Sequence, residues 1–553
     1  MASPSPTPVA SRPSPRLLLD GAAGWHARDL GPFTLRWTGD AAAALSVARS
    51  AIAAGCDPMA TGRALAAADG HFALVLQGRA ATIASVDICR STPLFYATPG
   101  AAEAIVGADA RAVRDAAALA DRAPAAVLEF AMAGYVTGGD TTVRGLHQLQ
   151  AGELLHIGPD GMARAHRWFD YVPQAPDTRA DGALRRALLD ALDAATDRAI
   201  ARADGRPVWV AVSGGLDSRL VLAKLRERGC PNLRAFSYGL PGNVDAVAGK
   251  AVAAALDVPW VFAPADGRAA RRFFASPQRR DFWRQADGLA SIPNFQDLQP
   301  LRDLLADRRL PREAVIVNGQ TGDFISGGHI TKTLPHGTTG ADNVAAAIIA
   351  KHFALWRSLM TADNRATVAA RLAVGALADA AEPLDWPAAA AIAERWEYAE
   401  RQAKYVVNGQ RVYDYLGLGW ALPLWDPAIV RFFRDVPLAA KLGQRLYREA
   451  LAEWDYRGLF RDFRRAPHSW PGAARLLLPA EAAVRRLFGA RAHARVHRYT
   501  RWFGHYGHQY REMTLPVFLR TAHDARNLLS LHVRTWLAEE GVACSPFTAR
   551  GLP

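Results

Sequence analysis

Six consecutive positions from Pro207 to Val212 (PVWVAV) are apolar and rich in β-branched residues. They give way to a glycine pair and then to Ser218–Arg228 (SRLVLAKLRER), where apolar residues recur at helical spacing. This pattern predicts a strand of the buried, parallel-sheet kind emptying through a tight loop into a helix. Val315-Ile316-Val317 predicts a second short buried strand, and a third β-like run leads into Phe236-Ser237-Tyr238-Gly239. Helical periodicity predicts a helix over Leu184–Arg202 ahead of the first strand. From Asn343 onward the text is mainly helical, including 388–408 and 426–436. Pro173, Pro176 and Gly182 mark a linker around 173–181. The elements predict an α/β protein, with no internal repeat of solenoid period.

Composition narrows the class. The chain has 553 residues, enough for two or three domains with sizeable cores, and is 50% hydrophobic and 22% charged, as an ordinary globular protein is. Four scattered cysteines without a C-x-x-C pair argue against a disulfide framework or zinc ribbon and suit a reducing cytosol, so a cytoplasmic location is expected. No apolar run reaches the ~18 residues of a membrane span. The opening 1–20 is Ser/Pro-rich and reads as a disordered tail rather than a secretory leader. The net charge of +13 is concentrated late: over 485–511 arginines alternate with histidines and aromatics. Three readings stay open there: a nucleic-acid surface, a patch for an acidic substrate or anionic membrane, and a solvated basic helix. The last is preferred, so nucleic acid is not expected as a partner. His493 and His497 have the i, i+4 spacing of a helical metal pair, but no carboxylate or cysteine joins them at matching spacing, which favours a solvated face.

The chemistry sits in the loops. In Val212-Ser213-Gly214-Gly215-Leu216-Asp217-Ser218 the glycines permit positive φ and close backbone approach, so that successive N–H groups form an anion nest at a helix N-terminus. Ser213 and Ser218 add hydroxyls, and Asp217 supplies a hard oxygen ligand suited to Mg²⁺. The G-x-x-x-x-G-K-[ST] loop is absent, which points away from γ-phosphate cleavage. S-G-G-x-D-S resembles the loop of the N-type ATP pyrophosphatases, which split ATP between the α and β phosphates.

Asn318-Gly319-Gln320-Thr321-Gly322-Asp323-Phe324-Ile325-Ser326-Gly327-Gly328-His329 resembles the second ATP and metal loop of the asparagine synthetase B family, usually S-G-E-G-x-D-E-x-x-G-G-Y. The resemblance implies that Asp323 is a second Mg²⁺ ligand facing Asp217, and that Phe236–Gly239, with Tyr238, lines the adenine. Leu422-Pro423-Leu424-Trp425-Asp426 with Pro437 and Lys441 resembles the family's R-x-P-F-L-D … P … K region. The sequence departs from the pattern at Gln320, where asparagine synthetases carry glutamate and β-lactam synthetases tyrosine; a neutral amide orients but takes no proton. The family's catalytic lysine has no clear counterpart, and Arg465, beside Arg464, stands as the candidate to neutralise the departing pyrophosphate. Residues 327–340 are Gly/Thr-rich and are expected to form a lid that keeps water from an adenylate.

The front of the chain resembles a class II glutamine amidotransferase domain, in Asp69-Gly70-His71-Phe72-Ala73-Leu74-Val75-Leu76, in 87–97 (DICRSTPLFYA), and in Gly134-Tyr135, 142–146 and 151–153 as closing strands. The chain begins Met-Ala-Ser-Pro and its first cysteine is Cys56, so the nucleophilic N-terminal cysteine of that family is missing. The resemblances together imply an N-terminal Ntn-hydrolase-like αββα domain over 21–175 with an inactive glutaminase. A PP-loop (adenine nucleotide α-hydrolase-like) ligase domain follows over 181–540, with a mainly helical C-terminal part. The implied activity uses ATP and Mg²⁺ to adenylate a carboxylate, which nitrogen then attacks. That nitrogen comes from free ammonia, a separate glutaminase or an amine on the acceptor. Asparagine itself, amidation of a sugar-linked or other specialised acid, and macrolactam closure on a peptide, as in lasso-peptide cyclases, remain open as products. So does a catalytically silent binding protein that keeps the ATP fold.

Overall fold

The computed structural model describes residues 14–19, 24–100, 103–174, 176–265, 267–330, 334, 337–463, 477–500, 502 and 512–543. They fall into two compact units. The first takes the described residues through Ala123 together with Gly138–Asp170; the second takes Pro124–Thr137 and the described residues from Tyr171 onward. The stretch 124–137 thus belongs to the second unit, although it was expected inside the 21–175 domain. It forms a helix, Pro124–Ala133, and Tyr135 bridges to Ser291 rather than to a closing strand of the first unit.

The first unit is built on two sheets. β1 (Arg16–Leu18), β6 (Phe95–Ala97), β7 (Ile105–Gly107) and β8 (Leu146–Gln148) form one, in the order β1-β7-β6-β8. β2 (His26–Leu30), β3 (Phe33–Gly39), β4 (Phe72–Gln77), β5 (Thr82–Val86), β9 (Glu153–Ile157) and β10 (Ala163–Arg167) form the other, in the order β10-β9-β5-β4-β3-β2. Strand alternation sends neighbouring residues of β4 to different cores. Phe72, Leu74 and Leu76 pack with Ala44, Val47 and Ala48 of α1 (Ala41–Ala53) and Leu65 of α2 (Pro58–Ala67); Ala73 and Val75 pack with Leu94 and Val106 of the other sheet. Asp40 and Asp57 cap these two helices, accepting from Ala43 N and Ala60 N. α3 (Ala110–Ala116) packs on β6 and β7, so the layers run helix, sheet, sheet, helix.

The second unit carries an all-parallel sheet, β13-β12-β11-β14-β15, from β11 (Val208–Ala211), β12 (Leu233–Gly239), β13 (Trp260–Pro264), β14 (Val315–Val317) and β15 (Gly419–Ala421). Val208, Trp209, Val210 and all of β14 are buried, as continuous apolar runs in a two-sided sheet should be. The predicted helix before β11 spans Asp181–Ala203 (α4), and the one after it Leu216–Glu227 (α5). The periodic run after 388 is α-helical over Trp386–Glu397 and continues as π-helical turns over Tyr398–Val406. Asp426 caps Pro427–Asp435. The chain adds β12 and β13 to one side of β11 and then β14 and β15 to the other. The direction of winding therefore switches between β11 and β14, where Val210 pairs with Val317. In such sheets a crevice opens beyond the carboxyl ends of the strands at that switch. Among the described residues no helix is long and apolar enough to cross a membrane.

Candidate functional site

Both motif loops leave the sheet at this switch. Ser213 opens the first. Its hydroxyl accepts from Gly215 N at 3.0 Å and lies 3.1 Å from Ser218 Oγ, which in turn accepts from Ser213 N at 3.1 Å. The loop is thus closed by serine hydroxyls. Neither Gly214 nor Gly215 has a positive φ: Gly215 is extended, with φ −65° and ψ 153°. The positive φ that glycine permits is not used here, and serine hydroxyls close the loop.

The glycines of the second loop are required by contact. A Cβ on Gly319 would lie 2.7 Å from the Asp217 carbonyl carbon and 2.8 Å from Ser218 N; one on Gly322 would lie 2.6 Å from Asp217 Cγ. Backbone at 319–322 therefore presses on Asp217, which only residues without a Cβ allow. This contact brings Ser213, Asp217, Ser218, Asn318, Gly319, Gln320 and Asp323 to one place. Gly327, at φ 97°, does the same one turn later, its Cβ position being 2.2 Å from the Lys441 carbonyl oxygen. Phe324–Gly328 forms a π-helical turn there, a feature frequent at functional sites.

Each carboxylate has a different partner. Tyr447 donates to Asp217 Oδ1 at 2.8 Å. Burial, and then the charge of Asp217, holds the Tyr447 hydroxyl well above its ordinary value, with Asp323 adding in the same sense, so it remains a donor at neutral pH. Asp323, whose side chain is 59% exposed, lies 2.9 Å from His329 Nε2. Burial opposes its ionisation, but the hydrogen bond and charge of His329 outweigh that and hold the carboxyl below its usual range. The other ring nitrogen of His329 meets buried Glu397, which also receives Lys351 at 2.6 Å and His352 at 3.2 Å. Burial lowers the His329 pKa, yet its two carboxylate partners lift it to about 9. For Glu397 the same contest ends well below the carboxylate range, through His329 and His352. His352, the most enclosed of the three bases, is pushed down to about 4 by burial.

Gln320 Oε1 accepts from Gln410 Nε2 at 2.7 Å, so an amide faces an amide, and the Gln320 backbone N–H donates to Asn318 Oδ1 at 3.1 Å, completing the turn. Asn318 donates to Tyr413, which donates to Asp297 at 2.6 Å. Burial raises the Asp297 pKa against the opposing hydrogen bonds of Tyr238 and Tyr413. Tyr238, in β12, and Asn318, just past β14, are thereby tied to one carboxyl, the latter through Tyr413.

A cavity of about 590 Å³ is lined by Val212, Ser213, Phe236, Ser237 and Tyr238 together with Lys351, His352, Arg401, Tyr405 and Arg526. Lys351, Arg401 and Arg526 outnumber the acidic Asp245 and Glu512 on its wall. It is of the size that holds a small molecule. Trp260 and Val212 O bracket Ser237 Oγ at 3.0 and 2.7 Å, fixing the wall near Tyr238.

Motif reasoning did not single out Tyr447, His329's link to Glu397, Lys351, Arg401, Asp297 or Tyr413. None has a local signal, since each meets its partner through distant chain. Arg465 and Arg464 lie outside the described residues, as does part of the expected lid over 327–340. Cys56 is 2% exposed and burial raises its thiol pKa, which marks an inert core thiol.

A family model described as asparagine synthase matches residues 187–465, just over half of the chain. One solved structure, the glutamine phosphoribosylpyrophosphate (PRPP) amidotransferase from B. subtilis complexed with ADP and GMP, is similar at 14% identity over 54% of this chain, with a TM-score of 0.16. This chain spans 58% of that one's length, and a likeness at that score carries no argument. Among curated proteins no match was found.

Proposed function

The chain belongs to the asparagine synthase family, and from that premise we propose that it is an AMP-forming amide-bond ligase working in the crevice between β11 and β14. The single observation that carries this is the forced contact of Gly319 and Gly322 with Asp217, which brings the backbone just before Asp323 against Asp217 beside a serine-closed loop. That donor set is all oxygen. It suits Mg²⁺, which usually takes one or two protein carboxylates and keeps the remainder of its shell for water and phosphate. Asp217 and Asp323 would hold the ion, and Mg²⁺ when bound neutralises charge on a departing pyrophosphate.

The residues of this chain then divide the work. Ser213, Ser218 and the N-terminus of α5 offer donors to phosphate oxygens. Tyr447 orients Asp217, and the His329–Glu397 pair orients Asp323 and keeps it ionised. Tyr238 and Phe236 supply the wall for a purine. Lys351 and Arg401, which share Glu397, and Arg526 line the same cavity and favour an acceptor that is itself a carboxylic acid. The acceptor carboxylate attacks the α-phosphorus, pyrophosphate leaves, and a nitrogen nucleophile displaces AMP. Gln320, held by Gln410, positions that nucleophile without taking its proton.

The test is AMP and pyrophosphate release by the purified full chain, with a panel of carboxylates including aspartate, uronic-acid nucleotides and peptides, and with ammonia or glutamine as nitrogen source. Acceptor-dependent AMP and pyrophosphate in equal amounts are expected, with ammonia and not with glutamine alone. ADP and phosphate, or no turnover on any acceptor, would overturn the proposal.

A further inference from the structure

Leu477–Thr500 is helical on both sides of Gly489, whose φ of 81° and ψ of 179° are not helical. In a straight helix residues 12 and 16 apart would be separated by roughly 18 and 24 Å at ~1.5 Å per residue. Instead Glu481 Oε2 lies 4.0 Å from His493 Nε2, and Glu481 Oε1 lies 3.2 Å from His497 Nδ1. The chain therefore doubles back at Gly489 and forms a helical hairpin. The carboxylate that sequence spacing did not supply to the histidine pair comes from its opposite arm, while the histidines stay partly exposed as expected of a solvated face.

The three side chains make a built group. The Glu481 side chain is only 9% exposed, and Thr500 Oγ1 hydrogen-bonds to it and fixes its orientation. His493 and His497 stack with ring centroids 5.6 Å apart and planes within 17°. One donor atom from each of the three residues lies within 4.8 Å of the other two. Ligands of a tetrahedral Zn²⁺ with bonds of 2.0–2.1 Å are separated by about 3.3 Å. One pair is already at that spacing, and small side-chain rotations bring in the third. Two imidazole nitrogens and one carboxylate oxygen select a borderline divalent ion over Mg²⁺, which wants oxygen.

We propose that Glu481, His493 and His497 form a three-ligand site for Zn²⁺ or a similar transition-metal ion, with a fourth position left to water. The site is chemically distinct from the oxygen pair Asp217 and Asp323. Its consequence is structural: the ion staples the two arms of the hairpin and stabilises it in proportion to metal occupancy. Thr500 acts through Glu481 as a positioning residue.

The experiment uses the full chain freed of metal by chelator and dialysis. Zn²⁺ uptake is measured by equilibrium dialysis, Co²⁺ uptake by its visible spectrum, and hairpin opening by hydrogen exchange over 477–500. One equivalent of Zn²⁺, the intense visible bands of low-coordinate Co²⁺, and slower exchange of 477–500 on metal addition are expected. His493→Ala and His497→Ala should each weaken uptake about 100-fold or more. Thr500→Val should weaken it about 10-fold, and acceptor-dependent AMP release should be unchanged. Glu481→Gln, which keeps the shape of the side chain, should abolish the Co²⁺ bands with circular dichroism unaltered. No stoichiometric uptake by the unaltered chain, or uptake that survives in the double histidine variant, would overturn the proposal whether or not the ligase reading holds.

Discussion

The two units bury polar groups to opposite ends. In the first, Asp87 is 2% exposed and accepts from Phe72 N at 2.9 Å, Cys89 N at 2.6 Å and the Ser91 hydroxyl. Arg90, 4% exposed, donates to Leu149 O and Gln148. Each of these groups joins one strand connection to another. In the second, Asp217 lies in the first turn of α5, Asp323 heads the π-helical turn that follows β14, and Lys351, Arg401 and Arg526 line a cavity. A buried charge whose hydrogen bonds are met within the protein holds a fold together, whereas charges that line open space can meet a ligand. The same residue types thus serve as architecture around Asp87 and are proposed to serve chemistry around Asp217.

Four substitutions or conditions can break this contrast. The largest effect is expected from Asp217→Ala or Asp323→Ala, which should lower AMP release about 10³-fold or more by removing charge stabilisation at the departing pyrophosphate. Asp87→Ala should leave turnover per folded molecule unchanged. Gly322→Val comes next. Its branched side chain must enter the space that Asp217 Cγ already fills, and misplacing that carboxylate by about 1 Å should cost on the order of 10²-fold in turnover. Circular dichroism should report an intact fold.

Third, Asp87→Ala should destabilise the first unit by about 2–3 kcal/mol, since it removes the carboxylate to which three backbone N–H groups and a hydroxyl donate. Faster hydrogen exchange in β4 and β5 would show it. The smallest is a pH effect in the second unit. His352 has a folded pKa near 4, below its ordinary 6.5, so the stability tied to its neutral form is present above pH 6.5 and is lost as pH falls toward 4. The loss approaches about 1.4 kcal/mol per pH unit at most. Glu397, held well below the carboxylate range, keeps its contribution above its unfolded pKa and loses it only under stronger acid. Thermal melts from pH 7 to 5 should therefore fall, and His352→Gln should flatten that dependence.

How much of this was legible in the sequence follows from distance along the chain. β11, β14, α5 and the two glycine-bearing loops were legible because strand periodicity, glycines and carboxylates all lie within a dozen residues. The partners of those loops were not. Tyr447 reaches Asp217 across 230 positions, Tyr413 reaches Asp297 across 116, and Glu397 reaches His329 across 68. Only the tertiary fold supplies such pairs. Glu481 was missed for a related reason: a matching-spacing rule assumes one continuous helix, and Gly489 breaks it. The glycines at 214 and 215 mark a loop as expected, but for a different cause than a positive φ. Gly134-Tyr135 resembled a closing strand of one domain and belongs to the other unit.

The most direct measurement of the central claim is Mg²⁺-dependent binding of a non-cleavable α,β-methylene ATP to the full chain, by calorimetry, for the unaltered protein and for Asp217→Asn and Asp323→Asn. The crevice between β11 and β14 predicts binding that requires Mg²⁺ and is lost in both variants, with Asp87→Asn binding as the unaltered protein does. Equal, Mg²⁺-independent binding in all four proteins would contradict it.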